Sequence, residues 1–194
     1  MKTSTPLKLF YFSQGLGLVY FWISLAIPYL MYRGFSSVEA FSLMAMYQFM
    51  GVFMEYPTGV VGDRFGYRRT LFLANSLNAL AMVILAQTGP SWVYAVGLIV
   101  LALGVGFSSG NNQGLLKTVS SNPRRDTANL TALAEFVIFL SSITGAWIGV
   151  ISFELALYIS AAAMFSSNIP LLFVPSDTNL RAKTKTLTVI IKDG

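Results

Sequence analysis

Six apolar runs, each about long enough to cross a bilayer, leave this chain few folds. They cover residues 9–31, 37–61, 70–87, 92–116, 128–152 and 155–174. An α-helix rises about 1.5 Å per residue, so roughly 20 apolar residues cross the hydrocarbon layer. A closed membrane barrel would need alternating segments of about ten residues, and these runs are too long and continuous for that. The breaks fall at Arg33-Gly34, at the charged stretch from Asp63 to Arg69, at Gly89-Pro90, from Ser121 to Asp126, and at Phe153-Glu154. Gly and Pro there are ordinary punctuation between helices. The first run is too long for a cleavable signal peptide, and no small-residue cleavage site follows it. The expected fold is therefore all-α, a polytopic bundle of six transmembrane helices. Residues 175–194 form a tail or the start of a linker.

Composition agrees. Hydrophobic residues make up 55% of the chain and charged residues only 11%, against about 25% charged in soluble domains. There is no cysteine and no histidine. That removes disulfides, thiolate chemistry, the commonest general base and the commonest metal ligand. No cofactor or metal is expected, and no enzymatic activity. The net charge of +5 lies in short clusters between apolar runs, the pattern that sets membrane orientation and not one that points to nucleic acid. With the N-terminus inside, Lys2, Lys8, Arg64, Arg68, Arg69, Lys117, Arg124, Arg125, Arg181, Lys183, Lys185 and Lys192 face the cytoplasm. Only Arg33 faces outward. Both termini are then cytoplasmic.

One loop is diagnostic. Between the second and third runs stands Gly59-Val60-Val61-Gly62-Asp63-Arg64-Phe65-Gly66-Tyr67-Arg68-Arg69. Gly59 and Gly62 allow close helix approach, and Gly66 permits a tight turn. Asp63 lies at a helix end, where it can accept hydrogen bonds or pair with arginine. Arg64, Arg68 and Arg69 can hold the loop at an anionic leaflet. On residues alone, this is at least a topology anchor.

The loop, preceded by Glu55-Tyr56-Pro57-Thr58, resembles the signature of the major facilitator superfamily, at the same place in helix order. The resemblance covers essentially the whole chain and matches the family's N-terminal six-helix half, built as two inverted three-helix repeats. It implies secondary transport of a small organic molecule across a prokaryotic plasma membrane by alternating access, with export slightly favoured. It also implies that Asp63 and its arginines latch the inner gate, with Glu55 in support. Six spans supply one wall of such a site, so a second six-helix half or a second copy of the chain is the expected partner. The alternatives are a truncated product that transports nothing and, less favoured, an intramembrane enzyme. The sequence departs from the family's common pattern in two places: no arginine lies in the fourth run before Lys117, and the fifth carries Gly145 and Gly149 without proline. The usual sign of proton antiport is thus missing.

Charged and amide side chains inside apolar runs are costly and tend to mark function. Glu135 and the neutral Gln14, Gln48, Asn111 and Asn112 are the candidates for substrate or proton contact; each amide can equally serve as interhelical glue. Asn75 and Asn78 are read as packing, as are the small residues Gly106, Gly110, Gly114, Gly145 and Gly149, placed between the fourth and fifth helices. Tyr11, Tyr20, Phe21 and Trp22 face lipid or pack, with stacking on a substrate as the alternative. Trp92 and Tyr94 are read as interface anchors. Gly106-Phe107-Ser108-Ser109-Gly110 spells a hydrolase elbow, but without histidine the chemistry cannot follow.

Overall fold

The computed structural model describes residues 5–175, and for 55–57, 59 and 60 the backbone alone. Glu55 and Gly59, as side-chain proposals, and the tail beyond Pro175 fall outside the described residues. Among those described there are eight helices: α1 (Thr5–Gly17), α2 (Trp22–Tyr32), α3 (Ser37–Phe65), α4 (Tyr67–Ala86), α5 (Ser91–Val119), α6 (Pro123–Ile151), α7 (Phe153–Ser166) and α8 (Asn168–Leu172). The segments Thr5–Tyr32, Tyr67–Ala86, Ser91–Val119, Pro123–Ile151 and Phe153–Leu172 are each long and apolar enough to cross a membrane. Helix α3 has 29 residues, about 43 Å of helix at 1.5 Å per residue.

Local chemistry explains the ends. Ser36 and Glu39 form a capping box at the start of α3: the Glu39 N–H donates to the Ser36 hydroxyl, and the Ser36 N–H donates to the Glu39 carboxylate. Asn122 caps α6 by accepting from the Arg125 N–H, with Pro123 at the first helical position. Ser152 alone separates α6 from α7 and accepts from the Leu155 N–H.

The first apolar run is not the continuous helix expected over 9–31. It is interrupted between Gly17 and Trp22. No proline lies at the break; Pro28 sits within α2. Side chains from other spans take up backbone groups freed there. The Ser141 hydroxyl donates to the Leu18 carbonyl at 3.2 Å, and the Phe21 N–H donates to the Ser160 hydroxyl at 3.1 Å. Irregular backbone at membrane depth persists only where protein or a cavity surrounds it.

Two large apolar clusters, with a small third of Phe21, Leu25 and Ala156, fill the bundle. One, toward the Arg33 end, joins Trp22, Tyr29, Leu85, Leu98, Leu101 and Leu157. The other, toward the Asp63 end, joins Leu7, Phe10, Leu71, Leu115, Leu116 and Leu171. Polar contacts lie at the depth between them. Ser13 donates to the Ser167 carbonyl at 2.8 Å, Asn75 to the Asn168 amide oxygen at 3.1 Å, and Asn168 to Ser76 at 3.1 Å.

Glycines set the close approaches, but not between α5 and α6. A Cβ on Gly106 would press on Met54 of α3, and one on Gly114 would strike the Tyr67 ring of α4. Added at Gly145 or Gly149, it would strike Phe21 at the break or Leu25 of α2. Gly110 faces open space. The expected α5–α6 glycine interface is thus replaced by contacts from each helix to other spans. Tyr94 is also not an interface anchor. It is buried, edge-on to Tyr29 and Phe35, and its hydroxyl donates to the Gln87 carbonyl. Phe21 and Trp22 are likewise buried rather than lipid-facing. Much of the surface is apolar, including Phe49, Phe53, Phe136, Phe139 and Trp147, the last 77% exposed. Such a surface suits lipid or another apolar bundle.

Candidate functional site

The signature loop is tighter than its charge suggests. Helix α3 runs to Phe65 and α4 begins at Tyr67, so Gly66 is the entire connection. Its φ of +92° is one that residues with a side chain rarely adopt. Asp63 stands in the last turn of α3, where the helix dipole disfavours a carboxylate. The Tyr67 hydroxyl offsets this by donating to it at 2.7 Å. Arg68 turns back to span six, donating to the Leu172 carbonyl at 3.3 Å and the Val174 carbonyl at 2.8 Å. It therefore caps a helix end as well as carrying charge. Arg64 and Arg69 are exposed. Beside them a cleft of about 430 Å³ is lined by Asp63, Tyr67, Gly110, Gln113 and Lys117 among others.

Gly62, one turn before the loop, lies against the Asn111 amide so closely that a Cβ would overlap it. Asn111 itself is 1% exposed and donates to the Phe107 carbonyl at 2.8 Å and the Thr58 carbonyl at 3.5 Å. The Thr58 hydroxyl in turn donates to the Gly106 carbonyl at 2.7 Å. Asn111 is thus a tie between α3 and α5 and does not reach the interior cavity.

That cavity, about 260 Å³, lies at the depth of the break in span one. Residues from all six apolar runs line it: Gln14, Gly17, Leu18, Tyr20 and Ile23 from the first, Tyr47 from α3, Asn75 and Asn78 from α4, Leu101, Val105, Ser108 and Asn112 from α5, Ile138 from α6 and Met164 from α7. The Tyr20 and Tyr47 hydroxyls meet at 3.5 Å. No charged side chain is among the described lining residues.

Of the candidates for substrate contact, the structure brings Gln14 and Asn112 together in this cavity. Gln48 and Glu135 stand on exposed faces of α3 and α6, away from it. Asn75 and Asn78, expected to serve only packing, help to line it. Their spacing of three residues on one helix was the available signal; what it lacked was the direction of that face. Tyr47 and Ser108 carry no sequence signal separating them from many similar residues.

Comparison with known proteins bears on the same features. The family model described as Major Facilitator Superfamily matches residues 9–190. The class G tetracycline resistance protein of Vibrio anguillarum is 28% identical over 153 residues, which is 72% of this chain and 36% of that protein. Among solved structures, a mutant of the peptide transporter POT in complex with sulfate superposes with a TM-score of 0.68 at 18% identity, covering 96% of this chain and 44% of that one. A complex of the same transporter mutant with alafosfalin gives 0.64 at 17% identity. The chain thus spans between 36% and 45% of the length of these relatives.

Proposed function

This chain belongs to the major facilitator superfamily, and on that premise we propose that it forms the N-terminal six-helix half of a secondary transporter. Its cargo is a small organic molecule, moved by alternating access, with export favoured because the curated relative is a resistance protein. The observation that carries the reading is a largely apolar cavity lined from all six apolar runs, into whose wall Gln14, Asn75, Asn78 and Asn112 bring carboxamides. Amides at that depth are costly unless they bond neighbouring helices, and the side-chain oxygens of Asn78 and Asn112 have no such partner among the described residues.

In this reading the Asp63 end lies in the cytoplasm of a prokaryotic plasma membrane, where twelve of the thirteen basic residues collect. Gly66 turns α3 stiffly into α4 and Gly62 seats α3 on α5, with Gly59 allowing the same close approach, so that Asp63, Arg64 and Arg69 are presented to a second six-helix half or a second copy. Arg68 holds that turn to span six, and Glu55 supports it from within α3. The cleft beside Asp63 is the seat for the partner's helix end. Glu135 and Gln48, exposed on the bundle alone, meet the cargo or a proton between the two halves. Gln14 and Asn112 contact the cargo from the cavity, and Asn111 keeps α5 in register with α3.

The test is uptake into inverted membrane vesicles containing this chain, starting with tetracycline and continuing through neutral and cationic aromatic compounds. Faster uptake than in empty vesicles, lost in Asp63→Asn and reduced in Glu135→Gln, supports the assignment. No uptake of any compound overturns the transport reading, and unchanged flux in both variants overturns the two roles.

A further inference from the structure

The cavity inside the bundle has a chemistry of its own. Residues of all six apolar runs line it, and it stays partly open at the surface, where Ile23 is 50% exposed. No charged side chain is among its described lining residues, and an ion transferred there would lose hydration without gaining a partner from them. Its polar groups are carboxamides and hydroxyls: Gln14, Asn75, Asn78, Asn112, Tyr20 and Tyr47.

Internal bonds engage some of these groups, and Asn75 is held by Asn168. Asn78 and Asn112 differ. The side-chain oxygen of each is buried and has no hydrogen-bond partner among the described residues. A carboxamide whose oxygen is not held can turn either its N–H edge or its C=O edge toward a guest. Asn78 is 9% exposed and leans on Gly104, where any Cβ would overlap it, so the glycine makes the room the amide occupies. Leu101, Val105, Ile138 and Met164 offer apolar contact in the same cavity. The break in span one admits Tyr20 to the wall and keeps its freed backbone groups on Ser141 and Ser160.

We infer that this cavity is a binding site, lined by all six apolar runs of this chain, for an uncharged organic molecule with an apolar body and hydroxyl or amide groups, held by Asn78 and Asn112. The inference deepens the proposed function, naming the chemistry of cargo that the N-terminal half recognises, and rests on that reading for its physiological sense.

The experiment is equilibrium dialysis of four probes with one bicyclic body against the chain in nanodiscs, with empty nanodiscs subtracted. The probes are 2,6-naphthalenediol, 2,6-dimethoxynaphthalene, 2-naphthoate and 2-naphthylmethylammonium. The expected result is saturable binding of the diol to one site per chain, at least tenfold tighter than the other three. The double variant Asn78→Leu/Asn112→Leu abolishes it. Val105→Phe narrows the cavity without removing a hydrogen-bonding group and weakens the diol at least tenfold, with circular dichroism confirming the fold. Absence of saturable diol binding, equal binding of the dimethoxy probe, preference for either ion, or indifference to Val105→Phe each overturns the inference. Vesicle flux separates the two readings: flux without diol binding removes the cavity site alone, and diol binding without flux of any compound removes the transport reading alone.

Discussion

The two ends of the bundle hold their charges in opposite ways. At one end a single arginine is drawn inward. Arg33 donates to the Tyr29 hydroxyl at 3.0 Å, to Thr88 at 3.1 Å, to the Ala86 carbonyl at 3.5 Å and to Glu154 at 2.7 Å. Its guanidinium also lies 5.0 Å from the Tyr29 ring centre. The side chain is 10% exposed, and Glu154 is 32% exposed. One residue thereby ties spans one, three and six. At the other end Arg64, Arg69 and Lys117 stay exposed, and order comes from glycine, from Arg68 on span six and from the Tyr67–Asp63 bond. Nearly enclosed charge with full hydrogen bonding makes a rigid joint. Exposed charge beside a cleft leaves a surface that can exchange partners. Under the proposed function, the difference would put the fixed joint at the Arg33 end.

The comparison is most readily broken at Arg33. Arg33→Ala removes the joint and leaves Glu154 without its cation, so we expect a loss of about 2 kcal/mol in unfolding from mixed micelles. That lies below the range for fully buried pairs because Glu154 is partly exposed. A loss no larger than that of Arg64→Gln would mean the two ends do not differ. Gly62→Val comes next at the Asp63 end. It forces Asn111 out of contact with α3 and should cost about 1–3 kcal/mol as overpacking, read in the same assay; unchanged stability would show that α3 and α5 part easily. Gly66→Ala keeps the helices and strains only the turn, an expected loss of about 1 kcal/mol. Tyr67→Phe removes a single exposed hydrogen bond to Asp63 and should cost about 0.5–1 kcal/mol, with a larger relative effect on vesicle flux than on stability. The smallest effect on folding is expected for Arg64→Gln, within about 0.5 kcal/mol. If it alters flux, the exposed charge serves the gate and not the fold.

Several features were legible in the residues, and for local reasons. The apolar runs and the turn glycine Gly66 each depend on a few neighbouring residues. The all-helical membrane fold of major facilitator type followed from the runs and the signature loop together. Arg33 offered a signal that went unused: a lone basic residue at the end otherwise free of them needs a partner, and Glu154 was the acid at the matching end of another run. The break in span one gave no comparable signal, since Leu18-Val19-Tyr20-Phe21 contains neither glycine nor proline. Its supports, Ser141 and Ser160, lie more than 120 residues away.

What the sequence by itself determined is the solvent and the class of fold. Burial in lipid is decided by transfer free energies that add residue by residue along a run of about 20. It also determined what chemistry was excluded, because a missing histidine or cysteine is missing everywhere. The tertiary structure alone decided which polar residues share a cavity. Gln14, Asn78 and Asn112 face the interior while Gln48 and Glu135 face out. That choice depends on the rotation of each helix about its axis, which packing against its neighbours sets and which no residue along one helix can specify alone.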